Sequence, residues 1–140
     1  MPLQIRWADL DPNFHLRHSV YYDWAAMCRI DFLNKMGLTP VLMHSLNFGP
    51  IVFREECIFR KEIKYGDKVN INLQLSKAKR DYSRWTFLQE IKKDEKILCS
   101  LVTIDGAWLN TIDRKLFIPP AKVVHVFQQM PQDESFQWLD

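Results

Sequence analysis

An α+β fold, one long helix laid against an antiparallel sheet, is what this sequence predicts, and three observations predict it. A single segment, Val20 to Met36, carries a helical pattern with a wide apolar arc, and four later segments alternate apolar and polar residues with period two. The 140 residues are 47% hydrophobic and 26% charged, enough for one compact domain over residues 1–140. With 4 Gly, 7 Pro and no run of one residue type, there is no room for a linker, a repeat or a low-complexity tail.

In the helix, Asp23, Asp31, Asn34 and Lys35 share one narrow polar face. Tyr21, Trp24, Ala25, Cys28, Phe32, Leu33 and Met36 fill most of the rest, so the helix must be largely wrapped by the chain. Gly37 and Pro40 stop it, and Ser19 or His18 stands where an N-cap is expected. Its dipole and free N–H groups then point back toward Asp11 to His18.

The strands follow. Phe53, Cys57, Phe59 and Ile63 alternate with polar or outward positions, and Val69, Ile71, Leu73 and Leu75 alternate strictly with polar ones. Tyr65-Gly66-Asp67, Arg80 to Ser83 and Lys92 to Glu95 supply the turns, leaving further strands at about 84–91 and 96–109. Asn110 to Lys115 loops out, and Pro119-Pro120 opens a short terminal helix with Val123, Val124, Val126 and Phe127. With one strand before the helix, about five strands are expected. Hotdog, cystatin-like and scytalone-dehydratase-like architectures all share this order.

Composition excludes several classes. The longest stretch without Asp, Glu, Lys or Arg, Gly37 to Phe53, is broken by glycines and prolines, so no helix from it crosses a membrane. Arg6 and Asp9 interrupt the N-terminus before an apolar signal core forms, and the cytoplasm is the expected compartment. Cys28, Cys57 and Cys99 lie far apart and odd in number, which argues against disulfides or a cysteine zinc site. A net charge of +2 is too small for a broad nucleic-acid surface.

The chemistry concentrates in Arg6 to Tyr21, where Asp9, Asp11, His15 and His18 crowd a loop that runs into the helix N-terminus. A carboxylate beside helical N–H groups suits acyl transfer, with Asp11 as base or nucleophile. The same aspartates equally suit turn capping. His15 and His18 have neither an H-E-x-x-H pattern nor a third ligand, so no metal site is expected. Arg29, on the apolar side of the helix, is expected to pair with a carboxylate.

This segment resembles the D-x-D-x-x-G-H-V-N-N-x-x-Y motif of the 4-hydroxybenzoyl-CoA thioesterase family, including its YbgC-like members. Asp9, Asp11, His15 and Tyr21 match in register, Leu16 replaces Val, and Arg29, Pro50-Ile51-Val52 and Tyr65-Gly66-Asp67 extend the likeness. The resemblance implies a hotdog fold with a five-stranded sheet wrapped around one central helix, and an acyl-CoA thioesterase without metal or other cofactor. It implies Asp11 as the catalytic carboxylate and the His18 backbone amide as the donor to the thioester carbonyl. Phe14, His15 and Tyr21 become substrate-binding candidates. The chain departs from the motif at Phe14, where the family has glycine, at Arg17 and His18, where it has asparagines, and at Ala26 and Met27, where a helix glutamate is frequent. These departures keep a non-catalytic acyl-CoA or acyl-carrier-protein binding module as the alternative, with a hotdog hydratase or dehydratase third.

Lys79, Arg80 and Arg84 gather at one hairpin, a solvated edge on charge alone. In the resembled family a basic hairpin here meets the coenzyme A nucleotide, a polyanion needing about two or three cations. An edge strand without a guarding proline must be covered, so a homodimer is expected, with further pairing to a homotetramer. The resemblance implies edge-to-edge joining, with the site at the boundary.

Overall fold

The structure, a computed structural model, describes residues 1–140. Its elements run β1 (Pro2–Leu3), α1 (Val20–Lys35), α2 (Pro40–Ser45), β2 (Phe48–Phe59), β3 (Val69–Ile71), β4 (Gln74–Ala78), β5 (Arg84–Lys93), β6 (Ile97–Asn110), α3 (Ala121–Gln128) and β7 (Gln132–Trp138). A short 3-10 turn covers Trp7–Asp9.

The sheet has seven strands instead of the expected five. One extra comes from a split. The segment read as a single strand over 69–76 breaks at Asn72, whose side chain leaves the strand pattern to exchange hydrogen bonds with Glu90: Asn72 Nδ2 donates to Glu90 Oε1 at 2.8 Å, and Glu90 N donates to Asn72 Oδ1 at 2.7 Å. Val69, Ile71, Leu73 and Leu75 are all buried even so. The other extra, β7, is polar at most positions and joins β4 in parallel, so the sheet is not wholly antiparallel. Its sequence, Gln132 to Trp138, lacks a clean alternation of apolar residues, which is why periodicity misses it.

β6 lies between β2 and β5. The opposite side of β5 takes β4 beside its first half and β3 beside its last residues, with β1 flanking β3. α1 buries Val20, Tyr21, Trp24, Ala25, Cys28 and Leu33 in one cluster with Ile71, Leu75, Phe87, Ile91, Val102 and Ile104 of the sheet. α3 closes one end, where Phe127 meets Trp85, Phe87 and Trp108 at ring separations of 5.7–6.3 Å.

β2 is a free edge, paired only with β6. Phe53 and Phe59, expected inside, are 51% and 53% exposed, and Val52 and Ile58 are exposed too. A register shift between Val52 and Arg54 displaces Phe53 from the alternation. Pro50 lies within this strand, so the expectation of an edge without proline is corrected: the first residues are guarded and the stretch after the bulge is open.

Candidate active site

The loop from Leu10 to Ser19 is closed on itself at one point and tied to the segment between β2 and β3 at another. Leu10 bridges Leu16, and His15 bridges Lys64, with Leu16 N donating to Ile63 O at 2.7 Å. Asp9 anchors the loop from below. Its side chain is buried, Arg6 Nη2 reaches its Oδ1 at 2.7 Å and Arg6 N reaches its Oδ2 at 2.9 Å. The hydrogen bonds from Arg6 hold the Asp9 carboxyl below the usual carboxylate range against the opposing effect of burial. With both oxygens engaged, Asp9 is a strut of the loop.

Asp11 is built differently. Its Oδ1 accepts from Asn13 N at 2.8 Å and His15 N at 3.1 Å, while its Oδ2 has no partner in the chain. One oxygen is therefore fixed by a turn and the other is free. Both readings of this residue taken from sequence, turn cap and reactive carboxylate, are compatible with that arrangement.

Phe14 completes the turn with φ +65°, the left-handed region that a glycine enters freely and a phenylalanine enters at a cost of about 1–2 kcal/mol. Its ring is exposed and sits 6.2 Å from Trp7, which lies 6.4 Å from Tyr65. His15 Nε2 contacts Glu62 Oε2 at 2.5 Å. His18 is exposed, and its backbone N–H has no acceptor in the chain. Ser19 does not cap α1 with its side chain as expected. Its hydroxyl instead receives Arg17 Nε at 2.9 Å, and Arg17 Nη1 donates to Ala8 O at 3.1 Å.

Tyr21 differs from an open binding position. It is only 3% exposed, stacked edge-on against Phe59 at 4.9 Å, and burial pushes its phenol up to about 12, with smaller contributions from Cys99, Cys57 and Asp11. Arg29 meets Glu55 Oε1 at 3.6 Å and donates to Gln89 Oε1 at 3.0 Å, while burial lowers its pKa. Fully buried Gln89 in turn donates to Ala25 O at 3.1 Å, tying α1 to β5.

Lys79, Arg80 and Arg84 stand at the other end of the sheet. Cross-strand register places Arg84 beside Ala107 and Ile51, and Phe59 beside Ser100, so the hairpin and the loop end of β2 are roughly 25 Å apart at ~3.3 Å per residue. The chain does not bring these cations to its own Asp11. Arg80 lies over the Trp138 ring at 4.8 Å and Arg84 over Phe53 at 5.3 Å.

An apolar cleft of about 170 Å³, missed by the sequence reading, opens between α1 and the sheet. Ala26, Pro50 and Val52 stand at its exposed side, and Trp85, Phe87, Trp108 and Phe127 form its depth, with Arg29 the one charged group. Only tertiary packing assembles these walls, so no local pattern announces them. No cluster of His, Cys, Asp or Glu is disposed to hold a metal ion, and no helix is long and apolar enough to cross a membrane.

The thioesterase-like superfamily matches residues 5–130. No curated protein compared with the chain matches it. Among solved structures, a 1,4-dihydroxy-2-naphthoyl-CoA thioesterase from Synechocystis is 17% identical with a TM-score of 0.82, the match covering 92% of this chain and 94% of that one. A hypothetical protein from Staphylococcus aureus, solved in complex with CoA, is 18% identical with a TM-score of 0.84, covering 95% and 85%. A DHNA-CoA thioesterase from the same organism is 18% identical with a TM-score of 0.81, covering 92% and 87%. At these identities the likeness is one of fold, the α+β hotdog type.

Proposed function

The chain belongs to the thioesterase-like superfamily, and from that premise we propose that it hydrolyses acyl-CoA, releasing a carboxylic acid and free CoA. The observation that carries this reading is the asymmetric Asp11 carboxylate, with Oδ1 pinned by two backbone N–H groups and Oδ2 free. A carboxylate oriented by one oxygen presents the other without an entropic cost of alignment. Two steps use Oδ2. As a nucleophile it bonds to the thioester carbon, expels the CoA thiolate and leaves a mixed anhydride that water cleaves. As a base it removes a proton from the attacking water, and the same C–S bond breaks. In both, the unpaired His18 N–H at the mouth of α1 stabilises negative charge on the carbonyl oxygen.

The substrate then spans two subunits. β2 is the open edge, and pairing two copies of β2 antiparallel about a two-fold axis brings the Phe48 end of one beside the Phe59 end of the other. The roughly 25 Å separating Arg84 from its own loop thereby becomes proximity to the partner's. Lys79, Arg80 and Arg84 of one copy meet the nucleotide of a substrate whose carbonyl lies at the other copy's Asp11. Phe14 and His15 border the thioester, and buried Tyr21, packed on Phe59, stands at the start of α1 behind the loop. The apolar cleft, opening at the β2 edge beside Ala26 and Val52, receives the acyl group. Its volume suits a single ring or a short chain.

Asp11→Asn tests the assignment. Asparagine retains an oxygen to cap Asn13 and His15, so the loop persists while the charge is lost, and turnover should fall by at least about 100-fold. A rate within a few fold of the parent on its best thioester rejects Asp11. After a single turnover in H₂¹⁸O, label in the Asp11 side chain identifies the nucleophilic route with water attacking the aspartyl carbon of the anhydride, because the base route breaks no bond to that carboxylate.

A further inference from the structure

The apolar cleft between α1 and the sheet carries polar side chains of one kind only. Of the residues that line it, Arg29, Trp85 and Trp108 alone bring a side-chain nitrogen or oxygen, and all three are donors. The indole N–H groups of Trp85 and Trp108 are buried and meet no acceptor in the chain. A cleft walled by unpaired donors favours an occupant that carries acceptors.

Arg29 is underpaired as well. Its side chain is 14% exposed, yet only Nη1 has an acceptor within reach, Gln89 Oε1 at 3.0 Å. The closest carboxylate oxygen, Glu55 Oε1, stands 3.6 Å from Nη2, outside hydrogen-bond distance. Gln89 is held in place from its other side, where Nε2 donates to Ala25 O at 3.1 Å. Glu55 lies on the open β2 edge with its side chain 35% exposed, so water competes for its oxygens. A neutral oxygen arriving in the cleft accepts a hydrogen bond and leaves the guanidinium charge to this hydrated partner. A carboxylate accepts two hydrogen bonds from the planar fork and neutralises it.

We propose that the acyl group taken into this cleft ends in a carboxylate that pairs with Arg29, which makes the substrate the mono-CoA thioester of a short dicarboxylic acid. This inference rests on the thioesterase reading and names the acyl class within it. The chemistry at the thioester is unchanged: water adds, the C–S bond breaks, and the free diacid leaves with CoA. Arg29 binds the far end of the acyl group, so it acts on which thioester is chosen.

The test uses three six-carbon acyl-CoA thioesters that differ at the far end: hexanoyl with a methyl, 5-oxohexanoyl with a neutral acceptor and adipoyl with a carboxylate. In the full-length protein, kcat/KM for adipoyl-CoA should exceed that for hexanoyl-CoA at least about tenfold, because the apolar tail leaves the donors unpaired. Arg29→Gln should lower this ratio at least about tenfold. Glu55→Gln, which removes the competing carboxylate from an exposed strand and leaves the core alone, should raise it by about threefold or more. A merely structural role for Arg29 moves both substrates together and keeps the ratio. Calorimetry with the free acids needs no hydrolysis, and adipate should bind at least about tenfold more tightly than hexanoate. Adipoyl-CoA hydrolysed no better than hexanoyl-CoA, or a ratio that neither variant moves, overturns the subsite and leaves the thioesterase intact. Equal use of 5-oxohexanoyl-CoA and adipoyl-CoA overturns the carboxylate. Adipate binding without hydrolysis of any of the three overturns the thioesterase reading instead.

Discussion

The six-membered ring of Trp85 occupies the space where a side chain on Gly106 would begin: a Cβ there would lie 2.2 Å from one ring carbon and 2.6 Å from two others. The indole cannot retreat, because Phe87 stacks on it at 4.3 Å and Trp108 and Phe127 close in at 6.2 and 6.3 Å. Gly106→Ala should therefore lower stability by about 3 kcal/mol, seen as a lower urea midpoint with unchanged slope. Adding Trp85→Leu should recover part of that loss, and strict additivity of the two would show that the contact is not responsible.

Acid should weaken the strut beneath the site. Asp9 has a folded pKa held below its unfolded value by the hydrogen bonds from Arg6, so its stabilisation is complete above about pH 4 and is lost as the pH falls through the folded value. The stability difference between the parent and Asp9→Asn should be flat from pH 7 to 5 and shrink below about 4. A difference independent of pH would mean that the Arg6 pair contributes nothing through charge.

Phe14 offers a backbone test. Glycine there relieves the left-handed strain but gains freedom in the unfolded chain, so Phe14→Gly should be neutral within about 1 kcal/mol. Phe14→Val, β-branched at φ +65°, should cost about 1 kcal/mol more than Phe14→Gly by thermal or urea unfolding. Equal stability of the two would place the constraint elsewhere.

Site sharing is testable by complementation. Asp11→Asn chains co-expressed with Arg80→Glu/Arg84→Glu chains should form mixed dimers with one intact site of two, returning about a quarter of the parental kcat/KM. No recovery, with mixed dimers verified by mass spectrometry, would confine the site to one chain.

Much of this architecture is legible from residue order. The helix bounds, the turns and the burial of Val69, Ile71, Leu73 and Leu75 follow from local periodicity, because those residues face one continuous core. The aspartate loop is legible as a cluster of polar groups next to a helix start. What escapes is set by long-range packing. Asn72 looks like any solvent-facing strand residue until Glu90 lies opposite, and Phe53 and Phe59 look like core residues until the sheet ends beside them. Arg84 and Asp11 seem like members of one site in sequence, and only the strand register shows the length of sheet between them.

The parallel pairing of β7 with β4 also bears on how the molecule assembles in time. β5 and β6 are joined by a tight turn and can zip together early, whereas Leu75 must wait for Gln132 and Ala78 for Trp138, each far along the chain. Completion of the sheet on that side is thus a late event in folding, and the last strand to arrive is the first to leave. In native-state hydrogen exchange the amides of Gln137 to Leu139 should open at lower free energy than those of Val102 and Ile104, making the terminal strand a separate, weaker cooperative unit hinged on Arg80 and Trp138.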